Sequence, residues 1–93
     1  SSPPSPQRAK AVREVTPEII EEPQCITVLC ELPGVEPRDL QWKWQGENLE
    51  LNAESRLAQY HGTIEMPPGV QANTPEIIGN NGVLELRFHR GKE

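Results

Sequence analysis

Cys25, Cys30, His61 and His89 are the thiol and imidazole donors of this chain, and their spacing decides what they can do. A zinc site needs donors close enough for one turn to present two of them to one ion. These four are scattered, without C-x2-C or H-x3–5-H spacing, and no metal is expected. The two cysteines stand in a β-like run, about 16 Å apart at ~3.3 Å per residue. A disulfide needs Cα atoms within about 7 Å. Their odd separation also points them to opposite faces, so two reduced thiols and a cytoplasmic setting are expected. His61 and His89 are opposite in parity to the apolar residues around them, which turns both toward solvent.

Nucleophile and phosphate chemistry find no support either. Ser55 has no nucleophile-elbow pattern around it, and the seven glycines are dispersed, with no G-x-x-x-x-G-K. The fourteen acidic residues fall mostly on polar strand faces or in loops. A short chain also encloses little volume in which carboxylates could converge on a substrate. The expectation is a protein that is not an enzyme and carries no cofactor. Trp42 and Trp44 remain, two indoles on one strand face in a chain that is only 4% aromatic. They either fill the core or line an exposed apolar groove, where aromatics serve as binding anchors. Nucleic-acid stacking would need interleaved cations, and only Lys43 is adjacent.

A net charge of −5 argues against nucleic acid and against anionic membranes as partners. No apolar stretch reaches the length of a membrane-spanning helix, and no signal peptide is visible. The first residue is Ser1 rather than Met, which fits a processed chain or a piece of a longer one. With 93 residues there is room for one domain and one core.

The elements that would position these residues read as strands. Residues 1–12 begin as SSPPSPQ, too polar and proline-rich to bury a core, and form an expected disordered arm or linker. The domain is expected over 13–90, with a frayed end at 91–93. Residues 13–22 make an edge strand or a broken one, because Pro17 interrupts them. Residues 25–32 are nearly all apolar or β-branched, which suits a central strand covered on both faces. Residues 36–39 form one helical turn or a β-turn. Leu40, Trp42 and Trp44 alternate with polar residues, as do Leu49, Leu51 and Ala53, giving a hairpin about Gly46-Glu47-Asn48. Tyr60, Gly62, Ile64 and Met66 alternate next, before Pro67-Pro68-Gly69. A short strand at Glu76-Ile77-Ile78, a turn at Asn80-Asn81-Gly82 and a strand over 83–88 complete the pattern. Short strands at roughly ten-residue spacing with Pro and Gly punctuation predict an all-β, immunoglobulin-like sandwich of seven or eight strands.

Four of these segments carry a resemblance. Glu31-Leu32-Pro33-Gly34-Val35, Asn48-Leu49-Glu50-Leu51-Asn52-Ala53, Tyr60-His61-Gly62-Thr63-Ile64-Glu65-Met66-Pro67 and Asn81-Gly82-Val83-Leu84 occur in this order. They resemble the α-crystallin domain of the small heat-shock proteins over residues 13–90. The resemblance implies an ATP-independent chaperone domain that holds non-native polypeptide at an apolar sheet edge. It places the peptide groove between the strand 40–45 and the short strand near 76–79, and so names Trp42, Trp44, Ile77 and Ile78 as its lining.

The chain also departs from the family. Only Ser55 to Gln59 stands where many members insert a loop whose strand pairs with a neighbouring subunit, so a swapped-strand dimer is not expected. Gly62 stands where many animal members carry Arg, and no Ile-x-Ile tail follows the last strand. A monomer or weak dimer follows. A short-loop domain of this kind is also similar to α-crystallin-like domains appended to targeting ATPases and to gas-vesicle-associated relatives, and to CS-type co-chaperones. The alternative reading is therefore a protein-interaction module without holdase activity.

Overall fold

A computed structural model describes residues 10–91. Its elements run in the order β1 (Ala11–Glu14), β2 (Glu18–Glu21), β3 (Cys25–Glu31), a 3-10 turn (Pro37–Asp39), β4 (Leu40–Gln45), β5 (Asn48–Glu54), β6 (Ala58–Glu65), β7 (Glu76–Asn80) and β8 (Val83–His89). Hydrogen bonding sorts the strands into two four-stranded sheets, β1-β6-β5-β4 and β2-β3-β8-β7. Their facing sides form one core, and the architecture is the expected immunoglobulin-like sandwich, with eight strands. The arm expected over 1–12 lies outside the described residues as far as Ala9, while Ala11 and Val12 belong to β1. Of the expected frayed end, Lys92 and Glu93 lie outside them as well.

Period-2 patterning builds the core directly. Leu49, Leu51 and Ala53 of β5, Ala58, Tyr60 and Ile64 of β6, Ile26, Val28 and Cys30 of β3, and Leu84, Leu86 and Phe88 of β8 are all buried. Their register matches across the ladders, as in Val28 opposite Leu86 and Leu49 opposite Ile64. A one-residue slip would turn every one of these side chains to solvent.

Pro17 breaks the first run as its missing N–H demands, and the break is where the chain changes sheets. Upstream, β1 pairs in parallel with β6. Downstream, β2 pairs antiparallel with β3. Val15, buried at the crossing, donates its N–H to the His61 carbonyl at 2.8 Å. It lies directly over Gly62, where an added Cβ would meet the Val15 Cβ at 2.8 Å. Glycine at that position gives the crossing segment room against β6.

Two sequence motifs meet in space. Val35 N–H donates to the Leu32 carbonyl at 3.0 Å, closing a turn in which Gly34 has φ 83°. Proline second and a positive-φ glycine third is the type II pattern. Leu32 N–H then reaches the Gly82 carbonyl at 2.8 Å, tying Leu-Pro-Gly to Gly-Val-Leu. The β7–β8 connection is a two-residue turn, Asn81 and Gly82, with φ 54° and 85°. Positive φ at both positions suits the right-handed twist of the flanking strands.

One expectation is corrected. Strand β3 is central but not covered on both faces: Cys25 and Leu29, on its outer side, are only half-buried. No third layer lies over it among the described residues. Thr27 is instead flanked by Ile20 and Arg87, and Leu29 by Glu18 and Glu85. An ion pair between Glu85 and Arg87 runs along this outer face and keeps the guanidinium firmly charged. Long neighbouring side chains supply the partial cover that let apolar residues accumulate there.

Candidate functional site: the seam between two sheet edges

Each sheet ends in an edge strand on the same side of the sandwich, β4 in one sheet and β7 in the other, each paired along one side only. Trp44 ties the two sheets together there. Its indole meets Phe88 of β8 edge-to-face, with ring centroids 5.6 Å apart and planes at 71°. Its Nε1–H donates to the Asn73 carbonyl at 2.8 Å, in the loop that precedes β7. At the other end of β7, a Cβ on Gly79 would meet Pro37 of the 3-10 turn at 3.0 Å. The seam is thus closed by Trp44 and Asn73 at one end and by Pro37 and Gly79 at the other. Between these ends the backbone N–H and C=O groups on the outer side of both edges have no strand partner among the described residues.

Of the four residues named for the groove, three share this seam. Trp42, Trp44 and Ile77 are half-buried and pack against the core. Ile77 pairs with the fully buried Leu86 and faces inward; Ile78 pairs with Glu85 and stands exposed on the outer face of the same strand. The alternatives left open for the tryptophans therefore combine: each indole reaches the core and keeps part of its surface in solvent. Asn73 carries a role its sequence context did not signal. Besides receiving the Trp44 indole, it donates its Nδ2–H to the His89 carbonyl at 2.7 Å. A loop asparagine with no periodic neighbour offers no pattern from which that could be read.

The remaining candidates for chemistry are accounted for. Both histidines are exposed: His61 Nδ1 lies 2.8 Å from Asn52 Oδ1, and His89 Nε2 3.9 Å from Glu76. The cysteines are free. Cys30 is buried in the core, which pushes its thiol up to about 11. Ser55 Oγ accepts from the N–H groups of Leu57 and Ala58 at 3.3 and 3.2 Å, so it organises the β5–β6 turn. Among the described residues no group of His, Cys, Asp and Glu could hold a metal ion. Among the described residues no helix is long and apolar enough to cross a membrane.

No family model matches the sequence, and no curated protein does. Solved structures match the fold. Heat shock protein 16.0 from Schizosaccharomyces pombe superposes with a TM-score of 0.69 at 19% identity, over 96% of this chain and 73% of that one. HspA from Xanthomonas axonopodis gives 0.72 at 22% identity, over 88% and 96%. HSP18.5 from E. histolytica gives 0.72 at 11% identity, over 86% and 90%. The sandwich is the α-crystallin-type fold.

Proposed function

We propose that this domain holds non-native polypeptide without ATP, along the seam between β4 and β7. The observation that carries the reading is the pair of free edges, with Trp42, Trp44 and Ile77 half-buried between them. An extended segment laid there would pair its backbone with an open edge and set alternate side chains against the indoles. A segment added to the β7 edge would meet Ile77 on one face and Ile78 on the other. Such binding needs exposed apolar surface and unpaired backbone, and no catalytic step. The likeness to solved small heat-shock proteins supports a client that is itself a polypeptide.

The test is suppression of a client enzyme's thermal aggregation, followed by light scattering, with the parent chain and Trp42→Ala compared. Among the described residues Trp42 has no hydrogen bond or ring partner to lose, so its variant should stay folded while suppression falls severalfold. Equal suppression by both proteins sinks the seam as the binding site. No suppression by the parent at severalfold molar excess sinks the holdase reading. The second reading, a non-assembling interaction module, is favoured by the β5–β6 turn, where Ser55 N–H bonds to the Ala58 carbonyl at 2.9 Å and closes the connection on itself. A monomeric mass in solution together with absent suppression would select it.

A further inference from the structure

The turn end of the sandwich and the adjoining outer face of the β1-β6-β5-β4 sheet gather features that the polypeptide-holding role does not use. Two open clefts meet there, of about 1040 and 880 Å³, sharing Gly34, Ser55, Arg56 and Tyr60. Lys10, Lys43, Arg87 and Arg90 each have a carboxylate partner. Arg13, Arg38 and Arg56 have none among the described residues, and all three line these clefts. The two most exposed large apolar side chains, Leu57 at 83% and Val12 at 73%, line them too. Unpaired cations and bare apolar surface thus coincide at one end of a chain whose net charge is −5.

The two clefts differ in charge. In the larger, Glu14, Glu18 and Glu31 outnumber Arg13 and Arg56. In the smaller, the acids are already engaged. Glu54 accepts from Lys10 at 2.5 Å, and the hydrogen bond and charge of that lysine hold its carboxyl below the usual range. Asp39 Oδ2 accepts from the Glu36 N–H at 3.2 Å. Arg38 and Arg56 keep their guanidinium forks open, and a guanidinium receives a carboxylate through two parallel N–H bonds.

We propose that the smaller cleft, with the Leu57 ridge beside it, is a docking surface for an extended acidic segment of a partner protein. Its carboxylates are received by Arg38 and Arg56, and its apolar side chains lie against Val12 and Leu57. Charge complementarity selects both the occupant and the place. Excess negative charge over the rest of the chain repels an acidic segment, and the larger cleft repels it through its own three glutamates. Binding of this kind is strong at low ionic strength and weakens as salt screens the exposed charges.

A fluorescein-labelled peptide of about ten residues alternating Glu with Val supplies the probe, read by fluorescence anisotropy. The acidic peptide should bind at about 50 mM salt, with affinity falling several-fold by about 300 mM. Its Gln-for-Glu analogue should bind roughly tenfold more weakly, because only ionised oxygens make the charge-assisted pairs. Arg38→Glu combined with Arg56→Glu should remove binding, and Leu57→Ser should weaken it. The salt-sensitive, Glu-over-Gln part of the binding should persist in Trp42→Ala, which separates this surface from the seam. Arg87→Glu, which alters net charge equally per substitution on the other sheet, should leave it nearly unchanged. Equal binding of the Glu and Gln peptides, no binding of either, or an equal effect of Arg87→Glu and Arg38→Glu overturns the proposal. A salt-sensitive dimer of the chain alone, abolished by Glu18→Lys with Glu21→Lys, also overturns it by making a second copy the occupant.

Discussion

Replacing Trp44 by alanine tests how far the seam is built on the core. The indole is half-buried, so it removes about 100 Å² from water, worth about 2.5 kcal/mol at ~25 cal/mol per Å². The edge-to-face contact with Phe88 adds ~1 kcal/mol, and the Nε1–H bond to Asn73 about as much. The sum, about 4–5 kcal/mol, lies within the range for large-to-small changes of a buried aromatic. It is comparable to the whole stability expected of a domain this small, about 5 kcal/mol. Trp44→Ala should therefore be largely unfolded at room temperature. Trp44→Phe keeps most of the apolar area and forfeits the indole hydrogen bond, so it should cost only ~1–2 kcal/mol. Trp42→Ala, with neither partner to lose, should cost ~2 kcal/mol. Urea unfolding followed by far-UV circular dichroism measures all three, with the slope of the transition unchanged if the folded states remain alike. A loss in Trp44→Ala no greater than that in Trp42→Ala would refute the assignment of Trp44 as the pin between the sheets.

Other perturbations address the crossing, the thiols and the turn. Gly62→Ala should destabilise by about 1–3 kcal/mol, because its Cβ would press on Val15; pairing it with Val15→Ala should recover part of the loss in a double-mutant cycle. Cys25 should react with a thiol reagent in the native protein and Cys30 only after unfolding, as labelled peptides would report. The unfolded Cys30 thiol ionises near 9.0, whereas the folded one holds its proton to about 11. The unfolded chain thus loses the proton first, and stability should decline from pH 9.0 toward about 11. Cys30→Ala should show a shallower decline in the same denaturant series. Gly82→Ala, at φ 85°, should cost about 1–2 kcal/mol in the β7–β8 turn.

Strands with strict alternation were legible from the sequence because their period fixes both the face and the partner. Thus β5, β6 and β8 fall where Leu49, Tyr60 and Leu84 begin their alternations. Pro17 also announced a break, since a missing N–H is a local fact. Where the chain went after the break was not local: the crossing depends on Gly62, distant in sequence, lacking a side chain. The partial cover on β3 was misjudged for a related reason. An apolar run reports hydrophobic neighbours but not whether they form a second layer or lean in from the flanking strands. At the seam, the alternation of Trp42 and Trp44 was readable, whereas the acceptor for Trp44 is a backbone carbonyl in a loop. The outward turn of Ile78 follows from its one-residue offset from Ile77, a parity visible only once the pairing with β8 is known.

The parallel pairing of β1 with β6 sets an order of assembly. Ala11 faces Ala58 and Glu14 faces His61, so β1 must wait for β6, which follows it by some forty residues, before it has this partner. Until then Val15 has no glycine to cover, and the hairpins of β2–β3 and β4–β5, which close over short loops, can form without it. Loop closure over so long a span is slow relative to local pairing. Strand β1 thus docks late, and its amides should gain protection from hydrogen exchange after those of β5.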